Sequence, residues 1–177
     1  FAAAVKGTAR ATGDAFFTSM ASQIGLSLGV AYVLVAETTD HGTRARSLAF
    51  WSTDGFLPDI HYNLAGAPCR HVVENGAAHF PQGVAALFPD DKPLTIRGIE
   101  GYCGLAMLDG EEHPIGVLVV MHTAPLQLTP EQMATLEIFA SRAGAELERQ
   151  RLENSLRESN TMLEQRVEAN AHENHAE

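Results

Sequence analysis

The stretch from Gly98 to Met121 limits the folds open to this 177-residue chain more than any other. It reads as two strands joined by a polar turn. Gly101 to Leu108 is mostly small and apolar, and Ile115 to Met121 is a near-continuous β-branched run. Such a run belongs to a strand buried on both faces. Asp109-Gly110 supplies the turn, and Pro114 can open the second strand without spoiling its ladder. A hairpin this apolar needs a cover on each side, so the remaining chain must provide two layers.

Two helical stripes offer the first cover. Between Gly13 and Gly25, Phe17, Met20, Ala21 and Ile24 recur at i, i+3, i+4, i+7, and Asp14 stands near the start, where a carboxylate suits the helix dipole. After the hairpin, Thr129-Pro130-Glu131-Gln132 has the pattern of a capping box with Pro in the first turn. Leu136, Phe139, Ala140 and Ala143 then form a core-facing stripe. Between the first helix and the hairpin, Ala31–Glu37 and Arg44–Ser52 read as a second pair of strands around His41-Gly42.

The second cover falls to Thr53–Arg97. Its Gly and Pro residues forbid any helix of more than a few turns. Short elements remain: a helix over 68–74, a strand over 77–80 and a helix over 82–87. The section is dotted with Phe56, Tyr62, Leu64, Val72, Phe80 and Phe88, which mark it as ordered and as a candidate pocket wall.

Beyond Glu146 the helical pattern continues without a breaker to about Asn170, giving about 60 Å of helix from Pro130. Leu147, Leu152, Leu156, Leu163 and Val167 punctuate a charged background, with eleven-residue intervals from Leu152 to Leu163 and from Leu156 to Val167. That spacing fits a coiled coil containing a stutter. His172 and His175 read as the start of a linker rather than a metal site.

Composition narrows the function. A formal charge of −10 argues against a nucleic-acid surface. No apolar run approaches the length of a membrane span and no signal peptide is visible, so a cytoplasmic location without membrane contact is expected. Phe1 rather than Met at the start suggests an excised fragment. No G-x-S-x-G, H-E-x-x-H or phosphate loop is present among the eight histidines and scattered acids, and Asp90-Asp91 reads as a turn cap after Pro89. Two cysteines, Cys69 and Cys103, are too few for a disulfide framework or a metal knuckle. They are either buried small hydrophobes in a reducing compartment, or one of them holds a cofactor or senses redox state. No cofactor is identified and no metal site is expected.

Several segments carry a family resemblance: Asp14-Ala-Phe-Phe, Tyr62-Asn-Leu-Ala-Gly-Ala-Pro-Cys69, Gly83-Val84 ahead of Phe88-Pro89-Asp90, Glu100-Gly-Tyr-Cys-Gly-Leu, Pro114-Ile-Gly-Val-Leu, and Ile138 to Glu148. Over Asp14 to Arg149 the chain resembles a GAF domain of a bacterial signalling protein, of the sensor-kinase or diguanylate-cyclase type. The resemblance implies an α+β, GAF/PAS-like fold: an antiparallel sheet, terminal helices on one face, a loop and short-helix cover on the other, then a long coiled-coil helix. It divides the chain into an N-terminal linker or helix extension at 1–12, a sensory domain at 13–149 and a signalling helix with linker at 150–177.

It also implies a regulatory module rather than an enzyme. Such a module responds to a small ligand or redox signal and acts as a homodimer through its terminal helices. In a two-component or similar system it then drives an output domain of the same parent chain. The dimer helix would use Leu147, Leu152, Leu156, Leu163 and Val167. Candidates for the pocket are Trp51, Tyr62, His79, Phe80, Phe88, Tyr102 and Cys103, with His71 nearby. The Asn-Lys…Phe…Asp-Glu signature of cyclic-nucleotide binders is absent, and neither cysteine is followed directly by His as in bilin binders. Cys69 stands where the subgroup commonly has a cysteine and reads as structural. Cys103 replaces the usual Leu and is either a core substitution or a tuned thiol. A ligand-free structural dimerisation module is the alternative, and a free methionine sulfoxide reductase, which shares the fold, is a third reading.

Overall fold

The computed structural model describes residues 14–176, and the expected N-terminal extension at 1–12 lies outside them. Among the described residues, seven strands form one antiparallel sheet in the order β3-β2-β1-β7-β6-β5, with β4 pairing beside β3 on β2. The strands are β1 (Tyr32–Thr39), β2 (Arg44–Ser52), β3 (Gly55–Phe56), β4 (His61–Asn63), β5 (Ala77–Phe80), β6 (Gly101–Leu108) and β7 (Pro114–His122). The β6–β7 hairpin pairs as expected, with Gly104 opposite Val119, and β7 continues the ladder into β1. Its turn is held by Asp109, whose Oδ1 accepts from the Glu111 and His113 N–H groups at 2.9 Å each.

Helices α1 (Asp14–Leu28) and α5 (Pro130–Asn174) cover one face. The expected stripes are the ones buried: Phe17, Met20, Ala21 and Ile24 from α1, and Leu136, Phe139, Ala140 and Ala143 from α5. Thr129 and Gln132 form the reciprocal capping box, with bonds of 3.1 and 2.9 Å. Gly29 ends α1 at a φ of +66°, where a side chain would be strained. Helix α5 runs for 45 residues, about 68 Å at 1.5 Å per residue.

The opposite face is covered by α2 (Cys69–Asn75), α3 (Val84–Leu87) and α4 (Lys92–Ile96) with their loops. Helix α3 starts later than the sequence suggests because Gly83 adopts a φ of +71°, outside helical space. Its N–H donates to Glu100 Oε1 at 2.6 Å, which ties this loop to the start of β6. The sequence reading missed β3, β4 and α4, each too short to show periodicity.

Leu147 departs from the expected role. It is 2 % exposed and packs into the core shared by both terminal helices, so no apolar surface remains for a partner helix. The exposed stripe begins at Leu152 and continues through Leu156, Leu163 and Val167.

One close approach fixes how α5 lies on the sheet. Gly144 sits against the Leu108 backbone, and a Cβ there would overlap the Leu108 carbonyl oxygen. On an exposed helix surface Gly→Ala stabilises by about 1 kcal/mol. At Gly144 the sign reverses, because the obstacle is backbone, and Gly144→Ala is expected to cost about 1–3 kcal/mol. Urea unfolding of the two proteins measures it; equal or greater stability of the alanine variant would contradict this packing.

Candidate functional site

Strand parity decides which side chains reach the space under the cover. Leu34 of β1 and Val119 of β7 belong to the cover-side core, whereas Val33, Val35, Leu118 and Val120 belong to the helix-side core. In β2 a bulge opposite Val35/Ala36 shifts the register, after which Ala49 and Trp51 face the helices and Phe50 faces the cover. In β6 Tyr102 faces the cover and Cys103 faces the helices.

A cavity of about 410 Å³ lies between sheet and cover. Its apolar floor includes Leu34, Phe50, Val119 and Met121, and its cover side includes Tyr62, Cys69, Leu94, Arg97 and Ile99, with Asp90 and Asp91. The volume falls within the range of small-molecule sites. Tyr102 also lines it, and its ring can lie close to the sheet because Gly104 is bare. A Cβ at Gly104 would stand 2.6 Å from Val72 Cγ2 and 3.0 Å from the Tyr102 hydroxyl.

The polar core of the cavity is a three-residue chain. The Tyr62 hydroxyl donates to Cys69 Sγ at 3.3 Å, and Sγ lies 3.1 Å from the Tyr102 hydroxyl. Burial pushes the Cys69 thiol up, while hydrogen bonds from the two phenols act the other way. Burial, then the neighbouring Cys69, raises both phenols well above the usual tyrosine range. Cys103 is raised by burial to about 11. Both thiols are therefore held neutral and are poor nucleophiles at physiological pH. Iodoacetamide at pH 8 is expected to label neither cysteine in the native protein and both in denaturant, as read by intact mass; rapid native labelling at Cys69 would contradict it.

The same shifts set an alkaline limit. Each neutral group is favoured by folding, so this stability is fully present below the unfolded pKa values, near 8.5 for Cys and 10 for Tyr. It is lost as pH rises through and above them. The melting temperature is expected to fall progressively from about pH 8.5 upward, and a flat profile to pH 10.5 would contradict the assigned burial.

Of the residues expected at a pocket, the structure brings Tyr62 and Tyr102 together on the cavity. Trp51 and Cys103 are corrected to the other face: Trp51 packs against Gly25 of α1, and Cys103 lies in the helix-side core. His79 sits opposite Cys103 on β5 and so shares its face, with Nε2 3.0 Å from the Leu126 carbonyl oxygen. Phe80 and Phe88 stack edge to face at 5.3 Å, with His71 5.6 Å from Phe88, and Phe80 meets Tyr102 at 6.0 Å. This aromatic group props the cover beside the cavity rather than lining it. Cys69, Phe50 and Arg97 were missed as site residues. Cys69 could have been found from its place seven residues after Tyr62 in the Tyr62–Cys69 segment, but no local signal marks Arg97. Among the described residues, no three His, Cys, Asp or Glu side chains are grouped to share a metal ion.

No helix among the described residues is long and apolar enough to cross a membrane. No curated protein matches the sequence. Among solved structures, a bacteriophytochrome from the photosynthetic bacterium R. palustris superposes with a TM-score of 0.67 at 12% identity, over 91% of this chain and 38% of that one. The chain thus spans well under half of that protein. The GAF domain of the Acinetobacter phosphoenolpyruvate-protein phosphotransferase superposes with a TM-score of 0.68 at 10% identity, over 87% of this chain and 94% of that domain. At such identities the likeness establishes the fold. The GAF-domain profile itself matches residues 13–147, from the start of α1 to the last buried leucine of α5, and the chain belongs to the GAF family.

Proposed function

We propose that this GAF domain is a sensory module, not an enzyme. A small molecule in the cavity biases the long C-terminal helix of a homodimer, which drives an output domain of histidine-kinase or cyclase type in the same parent chain. The observation that carries the reading is the two-sided sheet. Adjacent residues of β1 and β7 alternate between cavity floor (Leu34, Val119, Met121) and helix-side core (Val33, Leu118, Val120), so a shift of either strand is felt by both layers. Packed cores transmit such shifts because they are dense.

The exit of α5 is tied to the sheet at two hairpin ends. The Gly110 N–H donates to Glu148 Oε2 at 2.9 Å, and Arg151 Nη2 donates to the Thr38 carbonyl at 3.0 Å. Arg151 also meets Glu37 at 3.4 Å, and Glu37 pairs with Arg46. Beyond these ties Leu152, Leu156, Leu163 and Val167 stand exposed on a helix with few other apolar groups, which supports a parallel coiled-coil partner. The neutral thiols support binding over nucleophilic chemistry. Native mass spectrometry tests the reading: a dimer of the 19.0 kDa chain carrying one small molecule per protomer is expected. A bare monomer at high micromolar concentration would overturn it.

A further inference from the structure

Two charged side chains of opposite sign line the cavity, one at each end of α4, and among the described residues neither forms an ion pair. Arg97 follows the last residue of α4. Its guanidinium carbon lies 5.2 Å from the Phe50 ring centroid and 5.4 Å from that of Tyr32. Two aromatic faces hold the cation in place without supplying a carboxylate, so its N–H donors remain open to an acceptor. Asp91 precedes the first residue of α4 and is partly buried, and that burial pushes its carboxyl above the usual range, while the Leu94 N–H, which donates to the Asp91 backbone carbonyl at 3.2 Å, acts the other way. Among the described residues the ion pairs leave out both Arg97 and Asp91. The six-residue offset sets their backbones roughly 9 Å apart.

Each of these charges has given up part of its hydration without an oppositely charged partner among the described residues, which is unfavourable. A ligand with one charge answers only one of them and leaves the other facing it across a small space. A zwitterion with an apolar body answers both and also covers the floor of Leu34, Val119 and Met121. Asp90, on the same rim as Asp91, adds a second negative charge at that end. We propose that the cavity binds a small zwitterion of the amino-acid class, with its carboxylate on Arg97, its ammonium on Asp91 and its apolar side group on the strand floor. The assignment rests on the cavity being the ligand site and specifies the chemistry of that ligand.

Isothermal titration of the full chain tests it, with each of the twenty protein amino acids as probe and then the N-acetyl and carboxamide forms of the tightest binder. N-acetylation removes the ammonium and amidation removes the carboxylate; each is expected to weaken binding roughly tenfold or more. Arg97→Gln reproduces the loss from amidation and makes the protein indifferent to it. Asp91→Asn does the same for acetylation. Arg97→Lys keeps the charge without the fork and restores part of the affinity, which separates recognition from a folding defect. Parent and blocked forms binding equally would overturn the proposal. So would the absence of binding by all twenty while another compound occupies the cavity, a result that leaves the ligand-site reading intact. If no compound of any class binds, both fail together.

Discussion

If the protein dimerises through the exposed leucines of α5 as proposed, replacing Leu156 and Leu163 together by glutamate is expected to convert dimer to monomer while leaving the melting temperature of the folded domain unchanged. The two leucines are 64 % and 57 % exposed and belong to neither core cluster, so the domain has nothing to lose from their removal. They lie seven residues apart, on one face of a helix, where each would be a knob in a two-stranded coil. Burial of one leucine contributes about 1.5–3 kcal/mol. Four leucines lost per dimer, with like charges brought face to face, weaken association by on the order of 10⁴-fold. Sedimentation equilibrium reads this directly. A variant that stays dimeric would move the interface elsewhere, with α1 or the start of α5 the first places to look.

Leu147→Ala is expected to behave in the opposite way, although only five residues separate it from Leu152. Leu147 is 2 % exposed and packs in the core with Phe139 and Ala143, so truncation opens a cavity in a filled layer. The cost is about 2–5 kcal/mol. For a protein of this size that lowers the melting temperature by roughly 5–20 °C. Whatever association the wild type shows should be unchanged at a temperature where the domain is folded. Calorimetry and sedimentation on the two variants therefore locate the point on α5 where the domain ends and the free helix begins. A Leu147→Ala protein of full stability would place that point earlier.

The layers of the fold were legible because they are written in period. A 3.6-residue stripe marks α1 and the first part of α5, and the β-branched run of β7 announces a strand buried on both faces. The same double burial hides which residue faces which way. Where both neighbours on a strand are apolar, no polar alternation reveals parity, and a one-residue error moves a side chain to the other layer. That is how Trp51 stands in for Phe50, and how Cys103 is placed beside Tyr102 in one pocket although the two face opposite layers. The bulge in β2 compounds the difficulty, since it resets parity in the middle of the strand.

Leu147 shows the same limit on a helix. Sequence places it on an unbroken leucine stripe, but one end of that stripe is satisfied by the chain's own sheet and the other is not. Only the packing of α5 over β6 separates them. The site is less legible still. Cys69 and Tyr62 are held together by a short strand and a five-residue loop that carry no periodicity, and Arg97 joins them through a five-residue helix. Its importance comes from Tyr32 and Phe50, which are 65 and 47 positions earlier in the chain.

The proposed role of the cavity as a ligand site is open to one direct comparison: thermal melting of the wild type and of Val119→Trp across a library of small metabolites. Val119 is fully buried on the cavity floor, opposite Leu34 on β1 and Gly104 on β6, and an indole there occupies the space a ligand would take. A ligand at a hundred times its Kd stabilises a folded protein by about 2.7 kcal/mol, which raises the melting temperature by roughly 5–10 °C at this size. At least one compound is expected to produce such a shift in the wild type and none in Val119→Trp. A wild type unmoved by every compound, or a compound that shifts both proteins equally, would contradict it.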